Sequence, residues 1–149
     1  MSPCPGCGLP EGAEVCRALF DELNALAHID PRYAREHRKA VDAYCLQHDP
    51  YIASAKSLMA HLCGLCIAFD HHNDPRAHAA LLKSLNGSPS LTKPPLPESR
   101  GAVTIAAVVR PPNPETHANA VDRWARSAWE AFAPLHAFAR DWIERAWRG

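Results

Sequence analysis

Apolar residues recur at helical spacing along most of this chain. From about Ala13, the positions Cys16, Leu19, Phe20, Leu23 and Ala27 share one face of a 3.6-residue period, which predicts an amphipathic helix. Asp30-Pro31 ends it, because proline disfavours helix in the residue before it and suits a new first turn. A second helix is expected from there to about His48, where "HDPY" stops it. The third, from about Ala53, carries Leu58, Leu62, Leu65 and Phe69 as its stripe, and "HHNDP" closes it. "PRAHAALLKSLNG" reads as a short fourth helix ending at Asn-Gly. The longest helix is expected from about Glu115 to Trp147, with Val121, Ala125, Ala128, Phe132, Leu135, Ala139 and Trp142 in one stripe and a bend at Pro134.

Two stretches lack this pattern. Residues 1–12 are turn-rich, and 87–113 begin with "GSPSLTKPPLPES", too rich in proline for helix or central strand, so an extended surface loop is expected. Within the latter, "AVTIAAVVR" has the β-branched run of a strand but no partner strand nearby, which favours a short helix. Helices with single apolar stripes and short connections must bury those stripes against each other. The expected fold is therefore an all-α bundle of about five helices, one domain over residues 1–149.

The 16 basic and 16 acidic side chains cancel, which argues against nucleic acid as a partner, since phosphate binding needs a basic surface. "RYAREHRK" mixes its charges and reads as a solvated helix face. No apolar run is long enough for a membrane span, and the first residues lack the basic start and apolar stretch of a secretory signal. The expected location is the cytoplasm, where thiols stay reduced, so six cysteines there point to ligands, redox groups or buried thiols rather than disulfides.

The "CPGC" turn at Cys4 and Cys7 lets two thiolates approach one cation, with glycine permitting the tight backbone. A closed structural zinc site takes four ligands. Cys16 is the next thiol in the chain, in the first turn of the first helix. If the first two helices pivot about Asp30-Pro31, Cys16 lies opposite Tyr44 to His48, whereas His37 is about three turns away from His48. The fourth ligand is then His48 or Cys45. His48 is preferred because it sits at the helix end, where the knuckle must fold back. Zinc bound by Cys4, Cys7, Cys16 and His48 would pin the first twelve residues to the bundle and add binding energy to folding energy. The plainer alternative is an unliganded turn beside buried thiols.

A second constellation is His37, His61 and His136. His37 shares a face of the second helix with Val41, Tyr44, Cys45 and His48, and an antiparallel third helix brings His61 level with Ala40 and Val41. Three imidazoles meeting between helices would form an open, catalytic type of metal site, with Asp42 off that face and at most a supporting partner. The alternative is that each histidine satisfies a backbone carbonyl or a tyrosine. Cys63 and Cys66 form C-x-x-C in mid-helix, without the helix N-terminus that lowers a redox thiol's pKa, and read as buried thiols before they read as a dithiol. Asp70, His71, His72 and Asp74 in "FDHHND" read as a helix-ending loop that could bind a cation only adventitiously. Trp124, Trp129, Trp142 and Trp147 are expected as core and interface anchors.

"CPGCG", Cys16, "HRKAVDAYCLQHDP", "HLCGLC" and "WARSAWEAFAPLHAFARDW" together resemble an uncharacterised bacterial family, domain of unknown function 5946. The resemblance implies that Cys4, Cys7, Cys16, His37, Asp42, Tyr44, Gln47, His48, His61 and His136 occupy motif positions. Lys39-Ala40 and Asp49 depart from the pattern, and Cys45, Cys63 and Cys66 lie outside it. It implies no activity. The sequence therefore supports a zinc-stabilised binding or scaffold module whose partner is an unknown small molecule, a protein or, through the C-terminal helix, a second copy. The rival is a metal-dependent enzyme using His37, His61 and His136, and a weaker one a dithiol redox protein.

Overall fold

The computed structural model describes residues 2–87, 90–109 and 113–148, and these contain seven α-helices and no strand. Helix α1 (Ala13–Ile29) leaves Gly12 at φ 101° and ends at Asp30, whose carboxylate accepts the Arg32 N–H and caps the next helix. The expected second helix is two: α2 (Pro31–Ala34) and α3 (His37–Leu46). No glycine or proline marks the break at Arg35–Glu36. It lets Tyr33 set its ring edge-on to the buried His117, at 5.0 Å between centroids.

A short 3-10 turn (Asp49–Ile52) leads to α4 (Ala55–Asp70), capped by Ser54, which accepts the Ser57 N–H. Leu58, Met59, Leu62, Cys63, Gly64, Leu65, Cys66 and Ile67 of α4 are buried, well beyond the single stripe expected. A helix apolar nearly all round belongs at the centre, and α3, α5 (Pro75–Asn86), α6 (Pro114–Ala131) and α7 (His136–Arg148) pack around it. Asp74 caps α5 and Asn113 caps α6, each before a proline that needs no partner for its missing N–H. At Pro134 the long C-terminal helix breaks rather than bends: a 3-10 turn (Ala133–Leu135) separates α6 from α7. These two breaks account for the helices beyond five.

The stretch with strand-like composition contains a 3-10 turn at Ile105–Ala107, with Ile105, Val108 and Val109 buried. It needs no partner strand because side chains satisfy its backbone. Ser127 Oγ accepts the Val103 N–H at 3.2 Å, and His117 Nδ1 donates to the Val108 carbonyl at 3.2 Å. Gln47, wholly buried, ties the proline-rich segment down: its amide donates to the carbonyls of Arg100 (2.9 Å) and Val103 (2.8 Å), and its oxygen accepts the Trp124 indole N–H (2.9 Å). Arg100 closes the same junction, donating to the carbonyls of Leu46 and Pro97 and pairing with Asp49. Ser88, Pro89 and Arg110 to Pro112 of the expected loop lie outside the described residues.

Candidate metal centre

Residues 2–12 fold back over the open end of the α1/α3 pair. The turn closes on itself, with the Cys4 N–H donating to the Leu9 carbonyl (2.8 Å) and the Gly8 N–H to the Cys4 carbonyl (2.9 Å), and Leu9 anchors it in the core. Gly8 sits at φ 79°, a conformation that favours glycine. Gly6 is needed for a different reason, since a Cβ there would stand 2.5 Å from the Gln47 carbonyl oxygen and 2.6 Å from His48 Cδ2. Only a bare backbone lets the knuckle reach the C-terminal end of α3.

That approach brings Cys4, Cys7, Cys16 and His48 together, with all four ligand atoms within 4.8 Å of one another. Cys7 Sγ and Cys16 Sγ are 3.7 Å apart, and Cys16 Sγ is 3.3 Å from His48 Nε2. A tetrahedral ion with bonds of about 2.3 Å to sulfur and 2.0–2.1 Å to nitrogen has edges of roughly 3.5–3.8 Å, close to these separations. His48 Nδ1 lies 2.6 Å from the Tyr44 carbonyl oxygen. A carbonyl only accepts, so Nδ1 carries the proton and the Nε2 lone pair faces the sulfurs, the tautomer a metal needs. The Tyr44 hydroxyl stands 3.5 Å from Cys16 Sγ, and its ring is sandwiched between Phe20 (3.8 Å) and His48 (4.0 Å), which fixes the imidazole plane.

The cluster favours a thiolate. Contact with Cys16, helped by His48 and the Leu9 N–H, lowers the Cys7 thiol against the opposing effect of burial. Cys16, its partner at 3.7 Å, is pushed up. The six cysteines are free thiols. A Cys3His donor set of this spacing could hold a metal ion, and it is the one group of three or more such ligands among the described residues.

His48 rather than Cys45 completes the group. Cys45 is buried and acts electrostatically on His61 of α4. The second constellation does not assemble. His61 Nδ1 pairs with Asp42 Oδ1 at 2.8 Å. His136 Nε2 donates to the Trp129 carbonyl at 2.6 Å and its ring stacks on that indole, so it is engaged at the helix break made by Pro134. His37 lies near His28, 6.3 Å between ring centroids. His37, His61 and His136 form no grouped ligand set among the described residues, and each imidazole has local surroundings of its own.

Asp42 also differs from expectation, being buried against α4 rather than off the packed face. The signal that locates it is Gly64, a glycine within an apolar helix, which marks close approach of a neighbour. Burial works against a charged His61, but its hydrogen bond to Asp42 and its interaction with Cys45 prevail and lift it from 6.5 to about 10. Burial raises Asp42 as well, offset in part by His61. A raised folded-state pKa gives stability that is complete below the unfolded value and lost as pH climbs through the folded one. Both shifts therefore run one way. Wild-type stability should fall between pH 6.5 and about 10, and His61→Gln should flatten that fall. Urea unfolding at the two ends of the range measures it, and equal slopes for both proteins would contradict the assignment.

Cys63 and Cys66 are fully buried. Burial pushes both thiols up, Cys66 to about 12, the reverse of an attacking dithiol. Asp70 pairs with Arg140 (2.6 Å) and Asp74 caps α5, so the polar loop serves helix ends. Trp124 and Trp129 are core residues, whereas Trp147 is 40% exposed. No helix among the described residues is long and apolar enough to cross a membrane.

A family model described as "Family of unknown function (DUF5946)" matches residues 2–133, which takes in the knuckle, α1 to α6 and the Gln47 junction. No curated protein and no solved structure matches the chain.

Proposed function

The chain belongs to DUF5946, a family of unknown function, and we propose that it is a zinc-stabilised helical bundle serving as a binding module, its zinc structural rather than catalytic. One observation supports this reading: the proton on His48 Nδ1 is fixed by the Tyr44 carbonyl, so Nε2 offers its lone pair to a cluster with three sulfurs, all four ligand atoms within 4.8 Å of one another. Soft sulfur with one imidazole suits zinc, and four protein ligands leave no position for a substrate or activated water. The ion then holds residues 2–12 against α1 and α3. A reducing compartment such as the cytoplasm would keep these thiols available for it.

Elemental analysis of protein purified without chelator should give one zinc per chain, and X-ray absorption should show three sulfurs and one nitrogen around it. Two equivalents, or a shell with bound water, would favour a catalytic ion instead.

A further inference from the structure

Away from the knuckle, α3, α4 and α5 enclose an open cleft of about 610 Å3 that shares no residue with the metal centre. Its volume is that of a small-molecule site. α3 and α4 bring Arg38, Asp42 and His61 to it, and α5 brings His78 together with the apolar Leu82 and Leu85. Leu82 is 62% exposed although it lies on a helix whose other leucines are buried.

The charges of the cleft do not balance. Asp42 is its only carboxylate and is committed to His61 at 2.8 Å, where it neutralises the imidazolium. His78 accepts a hydrogen bond from Arg38 at Nδ1 (3.2 Å) while its Nε2 faces Asn73 Oδ1 (3.3 Å). That arrangement needs the proton on Nε2 and a neutral ring, in line with the lowering of His78 by burial and by the Arg38 charge. Arg38 is thus oriented by a neutral partner; its charge is felt by Asp42 one turn along α3, but that carboxylate's ion pair is with His61 rather than with the guanidinium. A guanidinium held this way at the polar end of an apolar cleft presents a planar fork that matches a carboxylate.

We infer that this cleft binds a small organic monocarboxylate with a short apolar chain, the carboxylate on Arg38 and the chain along Leu82 and Leu85. The cleft is independent of the metal, because neither site borrows a residue from the other.

Hexanoate is the probe, titrated into the full-length, metal-loaded chain and followed by methyl NMR. Saturable shifts at Leu82 and Leu85 are expected. Hexanol, lacking the charge, and acetate, lacking the chain, should each bind roughly tenfold more weakly, and Arg38→Gln should weaken hexanoate to a similar extent. Arg38 is exposed and Leu82 largely so, so Arg38→Gln and Leu82→Ser are expected to fold and to keep their metal, which elemental analysis checks separately. Absence of saturable hexanoate binding, equal binding by hexanol, equal binding by inorganic phosphate, or indifference to both variants would each overturn the proposal.

Discussion

Replacing Cys16 with serine should abolish metal binding at the proposed centre and release residues 2–12 from the bundle. Cys16 is the sulfur with close neighbours on every side: Cys7 at 3.7 Å, His48 Nε2 at 3.3 Å and the Tyr44 hydroxyl at 3.5 Å. A serine oxygen is a poor zinc ligand, and three ligands cannot close the site. The bundle keeps its own core, so the loss is the metal's binding contribution alone, about 4 kcal/mol if free zinc stands at roughly a thousand times its dissociation constant. For a domain of this size that corresponds to a fall of roughly 10 °C in Tm. Hydrogen exchange should show amides of residues 2–12 losing protection, while α4 and α6 keep theirs. Cys45→Ser is the informative companion, since Cys45 belongs with His61 and its replacement should leave one zinc in place. If Cys16→Ser protein still carries a full equivalent, the centre has been assigned to the wrong residues.

Gly64→Ala should destabilise the protein by about 3 kcal/mol, although alanine is the better helix former by about 1 kcal/mol. The added Cβ would fall 2.1 Å from Asp42 Oδ2 and 2.8 Å from its Cγ. Asp42 lies on a packed helix and cannot withdraw without leaving His61, and breaking a buried ion pair from one side costs about 3–5 kcal/mol. In an Asp42→Ala background the carboxylate is gone, so the same glycine substitution should become neutral or stabilising. A double-mutant cycle by urea unfolding measures this coupling, which should exceed about 2 kcal/mol. Additive effects would mean that α3 and α4 separate more easily than their packing implies.

The cluster of Cys4, Cys7, Cys16 and His48 was legible in the sequence because its logic is one of chain geometry. Two thiols in a turn, a third one helical turn into α1, and a reversal at Asp30-Pro31 together put the last turn of the next arm opposite Cys16. The reversal holds even though that arm is interrupted at Arg35–Glu36. The interruption itself had no local signal, and the contact it permits, Tyr33 on His117, spans 84 positions of sequence that no periodicity registers. His136 misled for a related reason. It was grouped with His37 and His61 on the premise of one continuous last helix, but Pro134 ends α6 early, and the imidazole is used on the Trp129 carbonyl at that break. Asp42 was misplaced because a carboxylate facing the core contradicts amphipathic reading. Gly64, twenty-two positions later, is what admits it. Gln47 was visible as a motif position, but its three hydrogen bonds depend on where the proline-rich segment lands, which composition does not determine.

Gln47 and His48 are neighbours, and between them they receive both aperiodic parts of the chain: the knuckle reaches the imidazole, and the strap around Arg100 to Val103 reaches the amide. The final turn of α3 is thus a common berth for two stretches far apart in the chain, so a single lesion at that turn should loosen both of them at once.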